Sequence, residues 1–442
     1  MNSVNPIAQH ANLGVWRWQS TPKLSMFYNM TGAFRTTTMT TDPLLAYRSE
    51  FPILDTCNYM MSNSLGAMPR AVYDTLKLYA DTWATLGVRA WGNPFDGQPT
   101  WWEMKGAVGD KIAPLMGAPA KSVLVHENAS IANSLLMHAL DFSDTRRDKV
   151  VVSDQDFPSD VYSVSRNLPP HMRVEMVRST DGITIDTDAL LNAIDERTRL
   201  VSLSHVLFRS AYIMPASEIV EKAHRVGAQV LLNGYHSIGI IPVDVTALGV
   251  DYYIGGTLKW MCGGPGGVFL YVRPDLLPTL NPHVTGWFAH QRPFAFDVEH
   301  FEPREDSYRL ANGTPAMAAL YAIQPGVEVI GRVGIDAIRE KSLRQTALII
   351  DLADEAGYPV RSPRQADQRA GTVTVAPPHA YEVSRQMLAQ NIVIDYREGA
   401  GIRIAPHFYN TDDEVREAMA AIGSILHEGT WLPHAKGREF VT

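Results

Sequence analysis

Between about residue 120 and residue 272 the chain alternates short apolar runs with stretches of helical period, and this alternation narrows the possible folds more than any other feature. The runs are Ser122-Val-Leu-Val, Lys149-Val-Val-Val, Leu200-Val-Ser-Leu, Gln229-Val-Leu-Leu, Tyr252-Tyr-Ile and Val268-Phe-Leu-Tyr. Strands separated by helices predict a mostly parallel sheet sandwiched by helices, an α/β architecture. The clearest crossover helix is expected over 216–226. There Ile219, Val220 and Ala223 face one way, Glu218, Glu221 and Lys222 the other, and Gly227 supplies the stop.

A second region begins near Gln324, with helical stretches expected over 336–356 and 414–426 and a strand pair over 372–376 and 402–405. The expected organisation is an N-terminal extension (1–45), a segment contributing to the small domain (46–85), a large domain (86–323) and a smaller α+β C-terminal domain (324–442). With 442 residues, 45% of them hydrophobic, a sizeable core needs no staples. The net charge of −8 and the scattering of basic residues argue against a nucleic-acid partner. No basic stretch leads into an apolar run at the start, and no apolar run is long enough for a bilayer, so neither a secretory signal nor a membrane partner is expected. Cys57 and Cys262 are the only cysteines, and no Cys/His cluster has metal-ligand spacing. A reducing, cytoplasmic setting without a metal is the corresponding expectation.

Chemistry concentrates in Val230-Leu-Leu-Asn-Gly-Tyr-His-Ser-Ile-Gly and Asp251-Tyr-Tyr-Ile-Gly-Gly-Thr-Leu-Lys-Trp-Met-Cys-Gly-Gly-Pro-Gly-Gly. In an open α/β sheet ligands sit beyond the carboxyl ends of the strands, so Asn233 and Lys259 can face one crevice. A lone lysine after a strand is usually a solvated surface residue. Here the eight residues after Lys259 include five glycines and prolines, which forces a tight backbone around it. An amine desolvated by such a loop loses its proton and attacks an aldehyde, which is the requirement for a Schiff-base lysine.

These residues resemble those of kynureninase, within the class V aminotransferase group of fold type I pyridoxal-phosphate enzymes. The resemblance spans roughly residues 50–430. It is carried by Leu258-Lys-Trp-Met-Cys-Gly-Gly-Pro-Gly, Asn63-Ser-Leu-Gly, Asp156-Phe-Pro-Ser-Asp, Ser204-His-Val-Leu-Phe-Arg-Ser-Ala-Tyr, Thr285-Gly-Trp-Phe-Ala-His and Asp395-Tyr-Arg-Glu. It implies pyridoxal 5′-phosphate as cofactor, with Lys259 forming the Schiff base and moving protons once substrate displaces it. It further implies that Phe157 stacks on the cofactor ring, with Asp160 near the ring's hydroxyl side. Ala129 and Ser130 would cradle the phosphate at a helix N-terminus, and His236 would lie beside the cofactor. Core packing would equally explain Phe157, capping Ser130, and a structural hydrogen bond His236.

Arg403, in Gly-Ile-Arg-Ile-Ala-Pro, matches the arginine that grips a substrate α-carboxylate; a surface ion pair is the alternative. Asn63, Trp91, Phe208, Arg209, His290 and Asn312 are candidate substrate-wall residues, and each has an equally good structural reading. Trp287 and Thr314 match positions that reach the phosphate of a neighbouring subunit, which implies a homodimer with shared active sites.

Two positions depart from the resemblance. Asn233 stands where an aspartate is expected to keep the ring nitrogen protonated, and an amide supplies no such charge. Leu258 stands where a tyrosine is expected. Two enzyme readings therefore stay open on an amino-acid substrate: kynureninase-like cleavage at Cα or Cβ, and another reaction such as transamination, β-elimination, decarboxylation or an oxidative variant. A catalytically degenerate cofactor-binding protein is the reading outside enzymes. A cysteine desulfurase needs a mobile thiol in a late loop, which neither cysteine provides.

Overall fold

A computed structural model describes residues 42–437; of the expected N-terminal extension, all but the last four residues lie outside this range. A short strand β1 (Asn58–Tyr59) comes first, followed by seven strands: β2 (Val123–His126), β3 (Lys149–Ser153), β4 (Arg173–Val177), β5 (Thr198–Ser204), β6 (Gln229–Asn233), β7 (Tyr252–Gly256) and β8 (Val268–Val272). These seven form one sheet in the order β2-β8-β7-β6-β5-β3-β4. β8 runs antiparallel to both its neighbours and the remaining pairs are parallel, so the mostly parallel sheet expected from the sequence is present.

The strands are continuous apolar runs because both faces are covered. Side chains alternate between the faces. Val151, Val201, Leu232 and Tyr253 enter one apolar core, and Val150, Val152, Leu231 and Ile254 enter the other. The crossover helix Ala216–Arg225 buries Ile219, Val220 and Ala223, and Gly227 follows it at φ +75°. β4 lacks the apolar run that marks the other strands. Its sequence, Arg-Val-Glu-Met-Val, places exposed and half-buried residues on the sheet edge, where an apolar run is not needed.

The later part of the chain adds β9 (Val373–Val375), β10 (Ile392–Val393), β11 (Asp395–Arg397) and β12 (Gly401–Ile404). β12 lies between β11 and β9, antiparallel to both. A third apolar cluster joins β9, β10 and β12 to the helices Ile335–Glu355, Ala380–Ala389 and Asp412–Glu428. The last helix starts with a complete capping box between Thr411 and Glu414. β1 pairs in parallel with β10, bringing residues 58–59 beside 392–393.

This topology sets the crevice. β3, β5, β6 and β7 are parallel neighbours, so their carboxyl ends deliver Asp156, Ser204, Asn233 and Lys259 to one edge of the sheet. The Gly66 N–H donates to the Leu258 carbonyl at 2.8 Å, and a Cβ at Gly66 would lie 2.1 Å from the Lys259 carbonyl oxygen and 2.9 Å from Cys262 Cα. Both obstacles are backbone, which cannot swing aside. Gly66→Ala is expected to destabilise the protein by roughly 1–3 kcal/mol, as overpacking does. Urea unfolding of the two proteins measures this, and equal midpoints would contradict the contact.

Candidate active site

Beyond the strand ends lies a cavity of about 380 Å³. Of the residues singled out from the sequence, it is lined by Asn63, Ala129, Ser130, Phe157, Asp160, Phe208, Asn233, His236, Lys259 and Arg403. Trp91, His290 and Asn312, expected as wall residues, are not among its lining, and neither is Arg209. Trp91 sits edge-on against Trp101 and Phe288. His290 uses both ring nitrogens on local backbone, Nδ1 with the Arg292 N–H and Nε2 with the His300 carbonyl. The Asn312 side-chain oxygen faces Lys105 at 3.4 Å, and the Arg209 guanidinium lies over the Phe208 ring. Trp287 and Thr314 are exposed and also outside the lining.

Lys259 follows β7 at the start of a backbone that doubles back on itself. The Gly263 N–H donates to the Thr257 carbonyl at 2.7 Å, the Cys262 N–H to the Lys259 carbonyl at 3.0 Å, and Cys262, Gly264 and Gly266 all have positive φ. His407 Nε2, from the far end of the chain, meets the Trp260 carbonyl at 2.7 Å. The lysine is thereby turned inward. Its Nζ lies 2.6 Å from His236 Nε2. Burial, then the guanidinium groups of Arg403 and Arg397, bring its pKa down to about 7, against the smaller opposing pull of Asp160. Burial and the neighbouring Lys259 hold His236 well below its ordinary range, so the imidazole beside the amine is neutral.

On the opposite side, the turn after β3 is fixed by Asp156. Its Oδ2 accepts from the Ser153 N–H at 2.8 Å and its Oδ1 from the Ser204 N–H at 2.7 Å, tying the ends of β3 and β5 together. The turn presents Phe157, 43% exposed, with its ring 5.3 Å from that of Phe208 in an edge-to-face contact. A Phe serving only as core would be covered, so this open face suits a flat ligand. Asp160, one turn into the helix Pro158–Arg166, accepts from Asn233 Nδ2 at 2.6 Å and from Asn133 Nδ2 at 3.2 Å.

The helix Ala129–Met137 points its N-terminus at the cavity. Asn128 caps it by accepting from the Ile131 N–H at 3.0 Å, and the N–H groups of Ala129 and Ser130 have no partner within the helix. That arrangement is an anion cradle. Arg403, in the middle of β12, faces the cavity and is 1% exposed. Asp395, directly across on β11, takes its Nε and Nη2 in a bidentate pair, and the Phe208 carbonyl takes Nη1 at 2.6 Å. Two of the five guanidinium N–H donors remain for a ligand.

The cavity also gathers Ser64, Asn128, Ser159, Ser204, Tyr235 and Arg397, which sequence reasoning did not assign. Asn128 carried a usable signal, an Asn immediately before an apolar helical run. Arg397 was visible only as part of the Asp395-Tyr-Arg-Glu stretch.

A profile described as "Aminotransferase class-V" matches residues 59–417. The chain belongs to the class-V aminotransferase family. It is 28% identical over 412 residues to a kynureninase of Geobacillus thermodenitrificans, covering 90% of this chain and 95% of the relative. A kynureninase of Pseudomonas fluorescens is 30% identical over 401 residues, covering 88% and 94%. Among solved structures, the cysteine desulfurase of Thermococcus onnurineus superposes with a TM-score of 0.76 at 20% identity, over 87% of this chain and 98% of the other. A mutant of the enzyme C-DES with glycine covalently linked to its PLP cofactor gives 0.75 at 20%, over 85% and 98%. These structures establish the shared fold.

Pyridoxal 5′-phosphate is the cofactor of this family, and the residues present fit it. They provide an amine of depressed pKa, an open aromatic face, a helix N-terminus with free N–H groups, and Asn63, whose buried side-chain amide has no partner. Because the Lys259 amine is half neutral near pH 7, cofactor uptake by the apoprotein is expected to speed up about tenfold from pH 6 to pH 8 and then level off. Stopped-flow absorbance measures it; a rate still climbing tenfold per unit at pH 9 would mark an ordinary lysine.

Proposed function

We propose that this chain is a pyridoxal-phosphate-dependent enzyme of kynureninase-like chemistry, cleaving a bond at Cα or Cβ of an amino acid that carries one carboxylate. The observation that carries the reading is the presence of the Lys259 amine and the Asp395-bound Arg403 guanidinium in one cavity. Near-full-length similarity to kynureninases supports the choice of reaction. When bound, the cofactor supplies the aldehyde that takes the substrate amino group and the ring that draws electrons from the bonds at its Cα.

The chain's own residues do the rest. Ala129 and Ser130 bind the phosphate through backbone N–H groups. Phe157 covers one face of the ring. Arg403 holds the substrate carboxylate with the donors that Asp395 and Phe208 leave free, while Asp395 prevents the guanidinium from swinging. Formal charges on Arg397, Arg403 and Asp395 sum to +1, which one carboxylate neutralises. Lys259, once released, takes and returns a proton at Nζ. His236 Nε2, 2.6 Å away, orients this amine.

A desulfurase reading has no support in the side chains. Neither cysteine lines the cavity, and burial pushes the Cys262 thiol up to about 12, far from the thiolate that chemistry requires.

We propose further that the working form is a homodimer. Trp287, Phe294, Phe296 and Val298 are 41%, 64%, 72% and 97% exposed, and Trp102, Trp287 and Phe294 form one aromatic cluster. A patch of this kind suits a second copy of the chain, to whose site Trp287 and Thr314 would then contribute. Sedimentation should give a dimer, and Phe294→Glu with Phe296→Glu a monomer with weakened cofactor retention; a monomeric parent would reject the proposal.

The reaction is tested by incubating holoenzyme with kynurenine and a panel of amino acids and identifying products by mass spectrometry. Anthranilate and alanine are expected from kynurenine and water; a keto acid product alone would instead mark transamination. Arg403→Lys should raise KM roughly 10- to 100-fold through loss of charge-assisted hydrogen bonds, with a smaller change in kcat.

A further inference from the structure

We infer that His407 is a positioning residue for Lys259: its Nε2–H, bonded to the Trp260 carbonyl, fixes where the amine stands relative to the Arg403 guanidinium. The inference rests on the reading of Lys259 as the residue that takes the cofactor, and it adds a side chain that lies outside the cavity lining.

Three successive carbonyls bracket the lysine, and each accepts from an N–H. The Leu258 carbonyl accepts from the Gly66 N–H at 2.8 Å, that of Lys259 from the Cys262 N–H at 3.0 Å, and that of Trp260 from His407 Nε2 at 2.7 Å. The first two donors are backbone groups, which almost any residue supplies. The third is a side chain, so here residue identity matters. A carbonyl only accepts, so Nε2 carries the hydrogen and Nδ1 keeps a bare lone pair. That nitrogen is buried without a partner. Packing alone does not account for such an imidazole, because an apolar ring of similar size would fill the space without an unpaired acceptor. The bond to Trp260 does account for it.

His407 is itself held from behind. Its backbone N–H donates to Asn410 Oδ1 at 2.9 Å, Asn410 Nδ2 donates to the Tyr59 carbonyl at 3.0 Å, and Lys341 Nζ, from the helix Ile335–Glu355, donates to the Phe408 carbonyl at 2.6 Å. Four residues earlier the same stretch presents Arg403 from β12. One segment thus carries the guanidinium and, through His407, the peptide beside Lys259. Their separation is what an α-amino acid has to match, because its carboxylate meets one group while its nitrogen takes the place of the other. The titratable groups facing His407 are Lys341 and Tyr409. Those facing Lys259 are His236 and Tyr235 after β6, Asp160 in the helix Pro158–Arg166, and Arg397, Arg403 and Asp395 from β11 and β12. Burial, with Lys341 adding to it against the opposing bond to Trp260, brings the His407 pKa down to about 3. The imidazole therefore stays neutral near pH 7, its bond does not come and go there, and a shifted titration belongs to Lys259.

The test follows uptake of pyridoxal 5′-phosphate by the full-length apoprotein from about pH 6 to about pH 10. The parent profile is expected to have its midpoint at about 7. His407→Phe keeps a ring and removes the donor; its midpoint should rise by about one unit or more, toward that of an ordinary lysine, as the freed loop lets the amine reach water. His407→Gln restores an N–H of similar reach and should return the midpoint to the parent value. His407→Asn, too short for the carbonyl, should shift as His407→Phe does and decides in its place if that variant does not fold. A lowered urea-unfolding midpoint with the uptake profile unmoved would mark a role in stability alone and overturn the inference. An equal shift in His407→Gln and His407→Phe overturns it too, since the bond would then not be the cause. A parent with no visible band that depends on Lys259 overturns the cofactor assignment and this inference together, whereas a normal band with midpoints indifferent to residue 407 overturns this inference alone.

Discussion

The path of the backbone from Thr257 to Gly267 is the constraint on which the rest depends, because it keeps an ammonium group out of water. The Thr257 N–H bonds back to the Gly267 carbonyl at 2.8 Å, and the Thr257 hydroxyl lies 3.0 Å from the same oxygen. Within this closed loop Cys262 adopts φ +54°, a conformation that costs a side-chain-bearing residue energy. Outside it, Gly66, Gly326 and His407 press against Leu258, Trp260 and Cys262 from three distant parts of the chain. A side chain at either glycine would collide with backbone. The local strain is thus held by tertiary contacts, and the depressed pKa of Lys259 is the return on it.

Charge is distributed across the cavity with a direction. Cationic groups gather where β11 and β12 meet Lys259, and the acids sit behind the turn at Asp156 and Asp160. Each buried charge has a named partner: Asp395 for Arg403, two amides for Asp160, two backbone N–H groups for Asp156. Buried ions without such partners would cost several kcal/mol each. The same partners that keep the charges tolerable also orient them toward one ligand.

Much of this was legible in the sequence. Strands buried on both faces announce themselves as valine and leucine runs, and the helix Ala216–Arg225 by its one-sided apolar face. β4 was not legible because an edge strand with polar residues carries no such run. Lys259, Asn233 and Phe157 stand next to diagnostic glycines, prolines and strand ends, so local pattern locates them. Residue type alone suggests Trp91, His290 and Asn312 as wall residues, and their partners lie elsewhere. The bond from Asn233 to Asp160 spans 73 residues, and the pairing of Asp395 with Arg403 depends on sheet register. Neither relation leaves a periodic trace along the chain.

The parallel pairing of β1 with β10 has a consequence for how the protein is made. Residues 58–59 have their strand partners at 392–393, and Asn63 shares its cavity with Arg403. A nascent chain leaving the ribosome therefore carries β1 without its partner until β10 has emerged. The cavity acquires Arg403 only with β12, so a fragment ending before that strand keeps Lys259, Phe157 and the helix N-terminus at Ala129 but lacks this buried guanidinium.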